Sequence, residues 1–236
     1  SGYFTIAASL LDRFRSRGPF TAAELAALVA ADLPPLFGQE RLNGPVTELM
    51  RLFAQALNDL GRYLQAGFQG SYTALVEAAD HSAERLARLL IAMPFYNDVE
   101  DYDGLRVPFF KRAQLTAADL ALAFGSEGWG RFDDLDRLTI FADNLVPHVL
   151  RVDGILTYKP SLAVRIDGEE LIPAGSPEEV EIRACAVHAV EGIAAELRAR
   201  GAAITSHQLD YLLWNRGQEP FYKKVKPRHR TRTVYY

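Results

Sequence analysis

The sequence has few of the features that mark several common protein classes. It contains one cysteine, Cys185, so a disulfide framework within the chain is impossible and we expect a reducing, cytoplasmic location. No hydrophobic run reaches the roughly 18–20 residues that a membrane span needs. The first residues, SGYFTIAASLLDRFRSRG, lack a secretory-signal pattern. A Gly-rich phosphate loop and a G-x-S-x-G elbow are also absent.

Strong charge and metal-binding patterns are missing as well. A net charge of −4 gives no overall bias towards nucleic acid or membrane. The five histidines stand beside no cysteine or carboxylate at the spacing of metal ligands, which predicts that the protein holds no metal. We expect Cys185 and His188, within one apolar helix, to be buried in the core.

What the sequence does contain is helical periodicity. Apolar residues recur at spacings of three and four in 20–33, 46–68, 71–93, 109–124, 133–156, 176–201 and 204–217. The segment 95–108, rich in acids and aromatics, is predicted to be an irregular loop, with Pro108 near the start of the next helix. A short β-hairpin is possible at LAVRIDGEELI, with Asp167-Gly168 as its turn. The pattern predicts an all-α fold.

Helix-start signals support this class. Thr21 and Glu24 have the spacing of a capping box, and so do Ser176 and Glu179. Gly201 follows the last helical residue of its segment, where helices commonly end.

Asp143 is the most informative acid, because it lies in the almost wholly apolar run LTIFADNLVPHVL. A helical projection puts it at the edge of the apolar stripe, so we expect it to be partly buried, which requires a partner. Pro147 interrupts the helical hydrogen bonds beside it. Asp143 could therefore belong to a site, or it could cap a neighbouring helix or pair with an arginine.

Lys111 follows the acidic and aromatic segment, in the first turn of a helix, where the helix dipole disfavours a cation. A lysine beside free backbone N–H groups suits a phosphate. A surface charge paired with the upstream acids is the alternative. Those acids stand among aromatic residues, an arrangement that could hold a flat cationic ligand or simply form a solvated loop.

The basic segment KKVKPRHRTRTVYY leaves nucleic-acid binding open. Its aromatic end, Tyr235-Tyr236, is more typical of a segment that packs against the fold.

Nine short motifs, in order along nearly the whole chain, resemble the queuosine salvage family, the queuosine 5′-phosphate N-glycosylase/hydrolases. They are F-x-G-S with an apolar run at Phe68–Val76, S-A-x-x-L at Ser82–Leu86, P-x-Y-x-D at Pro94–Asp98, F-K-R-A-Q at Phe110–Gln114, T-I-F-A-D at Thr139–Asp143, V-P-x-V-L at Val146–Leu150, E-V-E-I-R-x-C at Glu179–Cys185, L-D-Y-L-L-W at Leu209–Trp214 and H-R-T-R-T-V-Y-Y at His229–Tyr236.

The resemblance implies a helical fold related to helical DNA glycosylases. It also implies a small-molecule substrate, queuosine 5′-monophosphate, hydrolysed to queuine and ribose 5-phosphate without a cofactor, a membrane or a stable nucleic-acid partner. It places the catalytic aspartate at Asp143 and the phosphate-binding lysine at Lys111. Further substrate contacts are expected from seven residues: Asp98, Tyr96, Tyr102, Phe110, Phe141, His148 and Tyr236.

The chain departs from the family pattern in two ways. The family usually carries a further N-terminal region, so we expect residues 1–236 to be a single helical domain that lacks it. Asn144-Leu145 stands where relatives often have tyrosine-arginine, and His148 replaces a common glutamine. A nucleic-acid glycosylase and a non-catalytic nucleotide-binding protein remain the alternative functions.

Overall fold

Helices make up most of the chain in the computed structural model, which describes residues 2–39 and 43–236. The helices are α1 Gly2–Arg17, α2 Ala22–Ala27, α3 Leu33–Leu36, α4 Gly44–Phe68, α5 Tyr72–Glu77, α6 Ala83–Leu90, α7 Lys111–Ala123, α8 Val146–Val152, α9 Pro160–Asp167, α10 Pro177–Ala199, α11 Ser206–Gly217 and α12 Pro220–Val225. Strands β1 Val99–Tyr102 and β2 Leu105–Pro108 form an antiparallel hairpin. The predicted all-α class is confirmed, and this hairpin is the one two-stranded sheet within the described residues. Within the described ranges, no helix combines the length and apolarity that crossing a membrane requires.

The chain divides into two compact units, Ser1–Ala78 and Ala79–Tyr236. In the first unit α2 begins with the predicted capping box of Thr21 and Glu24. Gly61 of α4 lies against α2 so closely that a Cβ there would stand 2.4 Å from the Ala26 nitrogen and 2.6 Å from the Ala22 oxygen. This close approach therefore requires glycine. The extent of a single domain over 1–236 stays a prediction.

The second unit has its core where α8, α10 and α11 meet. Buried side chains come from these helices and from the irregular segment 138–145, which precedes α8. The core members are Phe109, Ile140, Ala142, Val146, Leu150, Val180, Ala186, Val190, Ala194 and Leu209. Packing of segment 138–145 into this core gives its residues fixed positions without regular secondary structure.

The hairpin does not lie where the sequence was expected to form it. Residues 160–167 are helix α9, so the hairpin predicted around Asp167-Gly168 is wrong. It lies instead within 95–108, and its two-residue turn is Asp103-Gly104, with φ of 50° and 78°. Both values suit a type I′ turn, which Asp-Gly adopts readily. Helix α7 therefore begins at Lys111 and not near Pro108.

Two predicted helices are interrupted. The segment 71–93 splits into α5 and α6, because Asp80 and His81 have positive φ and Ser82 caps a new helix. The segment 133–156 is helical only in a short 3-10 turn, Leu135–Arg137, and in α8. Pro147 does not break a helix there. It lies in the first turn of α8, where a missing N–H costs nothing.

Helix α10 starts at the predicted Ser176 cap, but the capping box does not close. The Glu179 N–H donates to Ser176 Oγ, while the Glu179 carboxylate accepts from Gly175 N. Cys185 and His188 are both exposed, so the predicted burial of these residues is wrong. The C-terminal segment packs against the fold as predicted, and the Tyr235 hydroxyl donates to the Asn97 carbonyl.

Substituting Gly61 by alanine is expected to destabilise the first unit by about 1–3 kcal/mol, because the new methyl group overpacks the contact with α2. Gly67, exposed in the same helix, has open space around it, so Gly67→Ala should stabilise by about 0.5–1 kcal/mol through helix propensity. Urea denaturation followed by circular dichroism measures both. Equal effects of the two substitutions would contradict the close contact.

Candidate active site

Asp143 lies in the irregular segment 138–145, directly before α8, and is 7% exposed. Its Oδ1 accepts hydrogen bonds from the backbone N–H groups of Leu145 and Val146, at 2.7 and 3.3 Å. The predicted burial is therefore confirmed, although the residue is not within a helix. One carboxylate oxygen caps α8, which leaves Oδ2 for another partner.

That partner is Lys111, whose Nζ lies 3.7 Å from Asp143 Oδ2. The two side chains are only 15% and 10% exposed. Lys111 is the first residue of α7, and its own backbone N–H donates to Asp98 Oδ2 at 3.3 Å. The structure thus brings together the two residues expected to carry the site. The separation exceeds a hydrogen bond, so the ammonium keeps donors for a further ligand.

A third residue, Asp210 of α11, lies close enough to this pair to feel both charges. It was not predicted from the sequence. It is 5% exposed, and its Oδ1 accepts from the Phe141 N–H at 2.8 Å. Burial and, after it, the negative charge of Asp143 raise the pKa of Asp210 to about 7, against the opposing effects of the Phe141 N–H and Lys111. Leu213 and Trp214 follow Asp210 by three and four residues, so a helical projection of α11 puts this acid beside apolar residues.

Asp98, expected to contact substrate, is fully buried in an ion pair with Arg183 of α10. The Arg183 guanidinium donates to both Asp98 oxygens, at 3.0 and 2.5 Å, and through Nε to the Ala142 carbonyl at 3.0 Å. Burial lowers the pKa of Arg183, but the hydrogen bonds and charge of Asp98, with the charge of Glu179, outweigh that effect, so the pKa is raised. Asp98 and Arg183 together therefore link the start of α7 to the residue before Asp143.

The aromatic residues expected to contact the base are spread over several surroundings. Phe141 is buried, while Tyr96 and Phe110 are half-buried. Tyr102 packs at the edge of the main core, and its hydroxyl donates to Glu181 at 2.6 Å. The Tyr236 hydroxyl donates to Glu179 at 2.7 Å, and burial followed by the Glu179 charge raises its pKa. Phe110 directly precedes Lys111 in the chain, and the Phe141 backbone N–H is the group that donates to Asp210.

Two buried histidines stand near the acids. His148 of α8 places Nε2 2.6 Å from the Tyr222 carbonyl, and burial lowers its pKa. Its other ring nitrogen has no partner in the described part of the chain. Burial also lowers the pKa of His229 to about 4, although the charge of Asp143 acts in the opposite direction. Both rings are therefore neutral at pH 7.

A cavity of about 330 Å³ lies one helical turn from Asp210, at the start of α11. Its lining includes Ser206, two arginines (Arg137 and Arg198) and two acids (Asp136 and Glu191). Cations and anions balance there, so the lining favours neither class of ligand. Over the described residues, no group of three or more histidine, cysteine or acidic side chains is arranged to hold a metal ion.

Comparison with known proteins gives consistent matches. The family described as "Queuosine salvage protein" matches residues 1–236. A protein of Sphaerobacter thermophilus named queuosine 5′-phosphate N-glycosylase/hydrolase is 41% identical over 237 residues, covering 100% of this chain and 72% of that protein. Proteins of the same name from Dictyostelium discoideum and Mus musculus are 34% and 32% identical. They cover 92% and 100% of this chain, and 66% and 72% of their own lengths are matched.

The raised pKa of Asp210 gives a test by stability. Between pH 3.8 and about 7 the unfolded state has lost this proton and the folded state keeps it, so the contribution of Asp210 to stability falls as pH rises and is level above pH 7. The free energy of unfolding of Asp210→Asn relative to the parent protein should therefore rise from pH 4 to pH 7, by about 4 kcal/mol at most.

Urea denaturation at pH 4, 5.5, 7 and 8 measures this difference. The comparison with the variant is needed because His229 has the opposite effect: its lowered pKa makes stability rise with pH between about 4 and 6.5. A difference between variant and parent that stays constant over the series would show that Asp210 titrates normally.

Proposed function

The chain belongs to the queuosine salvage protein family, and from this we propose that it hydrolyses the N-glycosidic bond of queuosine 5′-phosphate, releasing queuine and ribose 5-phosphate. The proposal rests above all on the convergence of Lys111, Asp143 and Asp210 from three separate parts of the second unit. Released queuine would be available for tRNA modification. This function places the chain among hydrolases that act on a small molecule.

Asp143 is our candidate for the catalytic carboxylate. Cleavage of the bond passes through a ribose with oxocarbenium character, and a carboxylate near the anomeric carbon stabilises that positive charge. The same carboxylate can take a proton from the attacking water. Asp143 Oδ1 is held by two backbone N–H groups, so Oδ2 has a fixed direction. A fixed, nearly dry carboxylate needs little reorganisation during the reaction.

Asp210 is our candidate for the group that assists the leaving base. Queuine is a 7-deazapurine and offers no N7 to protonate, so a proton must reach the base elsewhere. With a pKa of about 7, Asp210 retains its proton in a large fraction of molecules at neutral pH while Asp143 beside it carries charge. In the proposed step the water oxygen bonds to the anomeric carbon and its proton passes to Asp143. The carbon–nitrogen bond breaks, and the base receives the Asp210 proton.

Lys111 is our candidate for the phosphate contact. Its ammonium is close to Asp143 but not hydrogen-bonded to it, so a phosphate can share it. Its backbone N–H is occupied by Asp98, which confines the role to the side chain. A phosphate that attracts the ammonium would also leave Asp143 less neutralised and better able to stabilise the ribose cation. The aromatic rings proposed to stack on the base are those of Phe110, Phe141 and Tyr96. We propose further contacts with the substrate from Tyr236 and His148.

Nucleic acid is the alternative partner, because Lys223, Lys224, Lys226 and Arg228 are exposed near the C-terminus. The acidic net charge opposes that role. We propose that no stable nucleic-acid partner is bound and that the protein acts in the cytoplasm. Oligonucleotide binding that weakens steeply with salt would favour the alternative.

The substrate assignment is tested with queuosine 5′-monophosphate, queuosine and guanosine 5′-monophosphate, with the released base detected by mass. The monophosphate of queuosine should be the best substrate. Lys111→Met should raise its KM about 10–100-fold, as expected for loss of a charged hydrogen bond, and should change the KM for queuosine little. Lys223→Met, an exposed lysine of α12, is the control. Equal losses with nucleotide and nucleoside would remove the phosphate role from Lys111.

The two carboxylates should respond differently to substitution by asparagine. Asp143→Asn is expected to lower kcat about 10²–10⁴-fold, because the amide neither stabilises the cation nor accepts the proton. Asp210→Asn should cost less, because the amide still donates a hydrogen bond. It should also remove the decline in kcat/KM that Asp210 ionisation causes above pH about 7.

Asp133→Asn, an exposed acid paired with Arg131, controls for a general effect of removing a carboxylate. A folded Asp143→Asn protein with near-normal kcat would eliminate Asp143 as the catalytic group, whereas an inactive parent protein would eliminate the proposed reaction itself.

A further inference from the structure

Arg183 has almost no access to solvent, yet it carries a charge in the middle of the second unit. Its side chain on α10 is 1% exposed. The guanidinium carbon lies 3.9 Å from the Phe109 ring centroid and 4.9 Å from that of Tyr236. Two aromatic faces therefore hold the guanidinium plane, and rotation of the side chain is blocked.

The donors in that plane join two segments that each carry a residue of the candidate site. Arg183 Nε donates to the carbonyl of Ala142, the residue before Asp143. Its two terminal nitrogens donate to Asp98, whose Oδ2 also accepts the backbone N–H of Lys111. The planar guanidinium of Arg183, a rigid fork of donors, thus connects the peptide next to Asp143 through Asp98 to the first residue of α7.

We infer that Arg183 is a positioning residue: its guanidinium sets the separation between the Lys111 ammonium and the Asp143 carboxylate. The inference rests on the proposed function and deepens it. Arg183 itself contacts neither side chain, so its effect passes through the Ala142 carbonyl and through Asp98. Lysine could not replace it, because one ammonium cannot serve three acceptors arranged around a plane.

Other contacts fix neighbouring parts of the segment but do not replace this one. Gln114 of α7 accepts from Thr139 N at 2.9 Å, four residues before Asp143. The Leu145 and Val146 N–H groups orient the Asp143 carboxylate relative to α8, not to α7. The bridge through Ala142, Arg183 and Asp98 joins the residue next to Asp143 to the residue that carries the ammonium.

The test compares Arg183→Lys with Arg151→Lys. Arg151 is also buried, donates to Asp167 at 2.8 Å and stands over the Tyr158 ring at 5.1 Å, but it has no link to Ala142 or Lys111. For release of queuine from queuosine 5′-monophosphate, Arg183→Lys should lower kcat about 100-fold, as misplacement of a reacting group does. Its KM should change less than about threefold, because ground-state binding is retained. Arg151→Lys should keep both constants.

The possible outcomes test the proposed function and the positioning role separately. If the parent protein releases no queuine, the proposed function fails, and that result is separate from the inference. If the parent is active and folded Arg183→Lys keeps a kcat within threefold of Arg151→Lys, the positioning role is overturned. A rise in KM without a fall in kcat would also overturn the positioning role, because it would show that Arg183 or its partner binds the substrate.

Asp98→Asn provides a second route if Arg183→Lys does not fold, with folding judged by circular dichroism. Asparagine keeps the shape of Asp98 but cannot accept at both terminal positions, so the fork loosens while the charge of Arg183 remains. A tenfold or greater fall in kcat with unchanged KM would support positioning. A rise in KM with unchanged kcat would overturn it and assign Asp98 to direct substrate contact.

Discussion

The ion pair of Arg183 and Asp98 is the interaction on which the candidate site depends. Both partners are fully buried, and taking two charges out of water costs several kcal/mol per ion. The cost is offset by two hydrogen bonds to Asp98, one to the Ala142 carbonyl and two flanking aromatic rings. Removal of one partner would strand the other charge, at about 3–5 kcal/mol. The pair therefore fixes the segments that it joins.

The need for such an interaction follows from the backbone of 138–145. This segment packs into the core without secondary structure, so its buried N–H and C=O groups need partners from elsewhere. Gln114 of α7 accepts from the N–H of Thr139, Asp210 of α11 from that of Phe141, and Arg183 of α10 donates to the Ala142 carbonyl. Three helices thus determine the path of one segment. Asp143 follows Ala142 in this segment, so the same contacts set the position of its backbone.

Much of this arrangement could be predicted from the sequence, and the predictions that were wrong have identifiable physical reasons. Long periodic helices such as α4 and α10 were found because an apolar stripe repeats over many turns. Residues 138–145 were predicted as helix because the buried side chains there imitate that stripe, while their backbone bonds are made to other elements. The hairpin was misplaced because three Asp-Gly pairs occur, and sequence alone did not reveal that only Asp103-Gly104 joins strands of matched register.

The candidate site was also predicted only in part from the sequence. Asp143 and Lys111 were predicted from their unusual surroundings and from the family resemblance, and the structure brings them together. Asp210 and Arg183 were missed because each was judged as part of a helix and not as a buried polar group on its apolar face. Their partners are distant in sequence, so contacts such as Asp210 with Phe141 could not be inferred from spacing.

The buried acids and histidines also determine which charge the site carries. Burial is the largest cause that pushes Asp210 towards its protonated form and His229 towards its neutral form, and both are uncharged over most of the range between pH 4 and 7. In the unfolded chain both would be charged over the same range. On folding, Asp210 gains a proton and His229 loses one, so the two changes in charge nearly cancel. The Lys111–Asp143 pair then has no further net charge from these two neighbours. A developing positive charge on the ribose would meet the Asp143 carboxylate without competition from a histidine cation, and this is the electrostatic condition that the proposed hydrolysis requires.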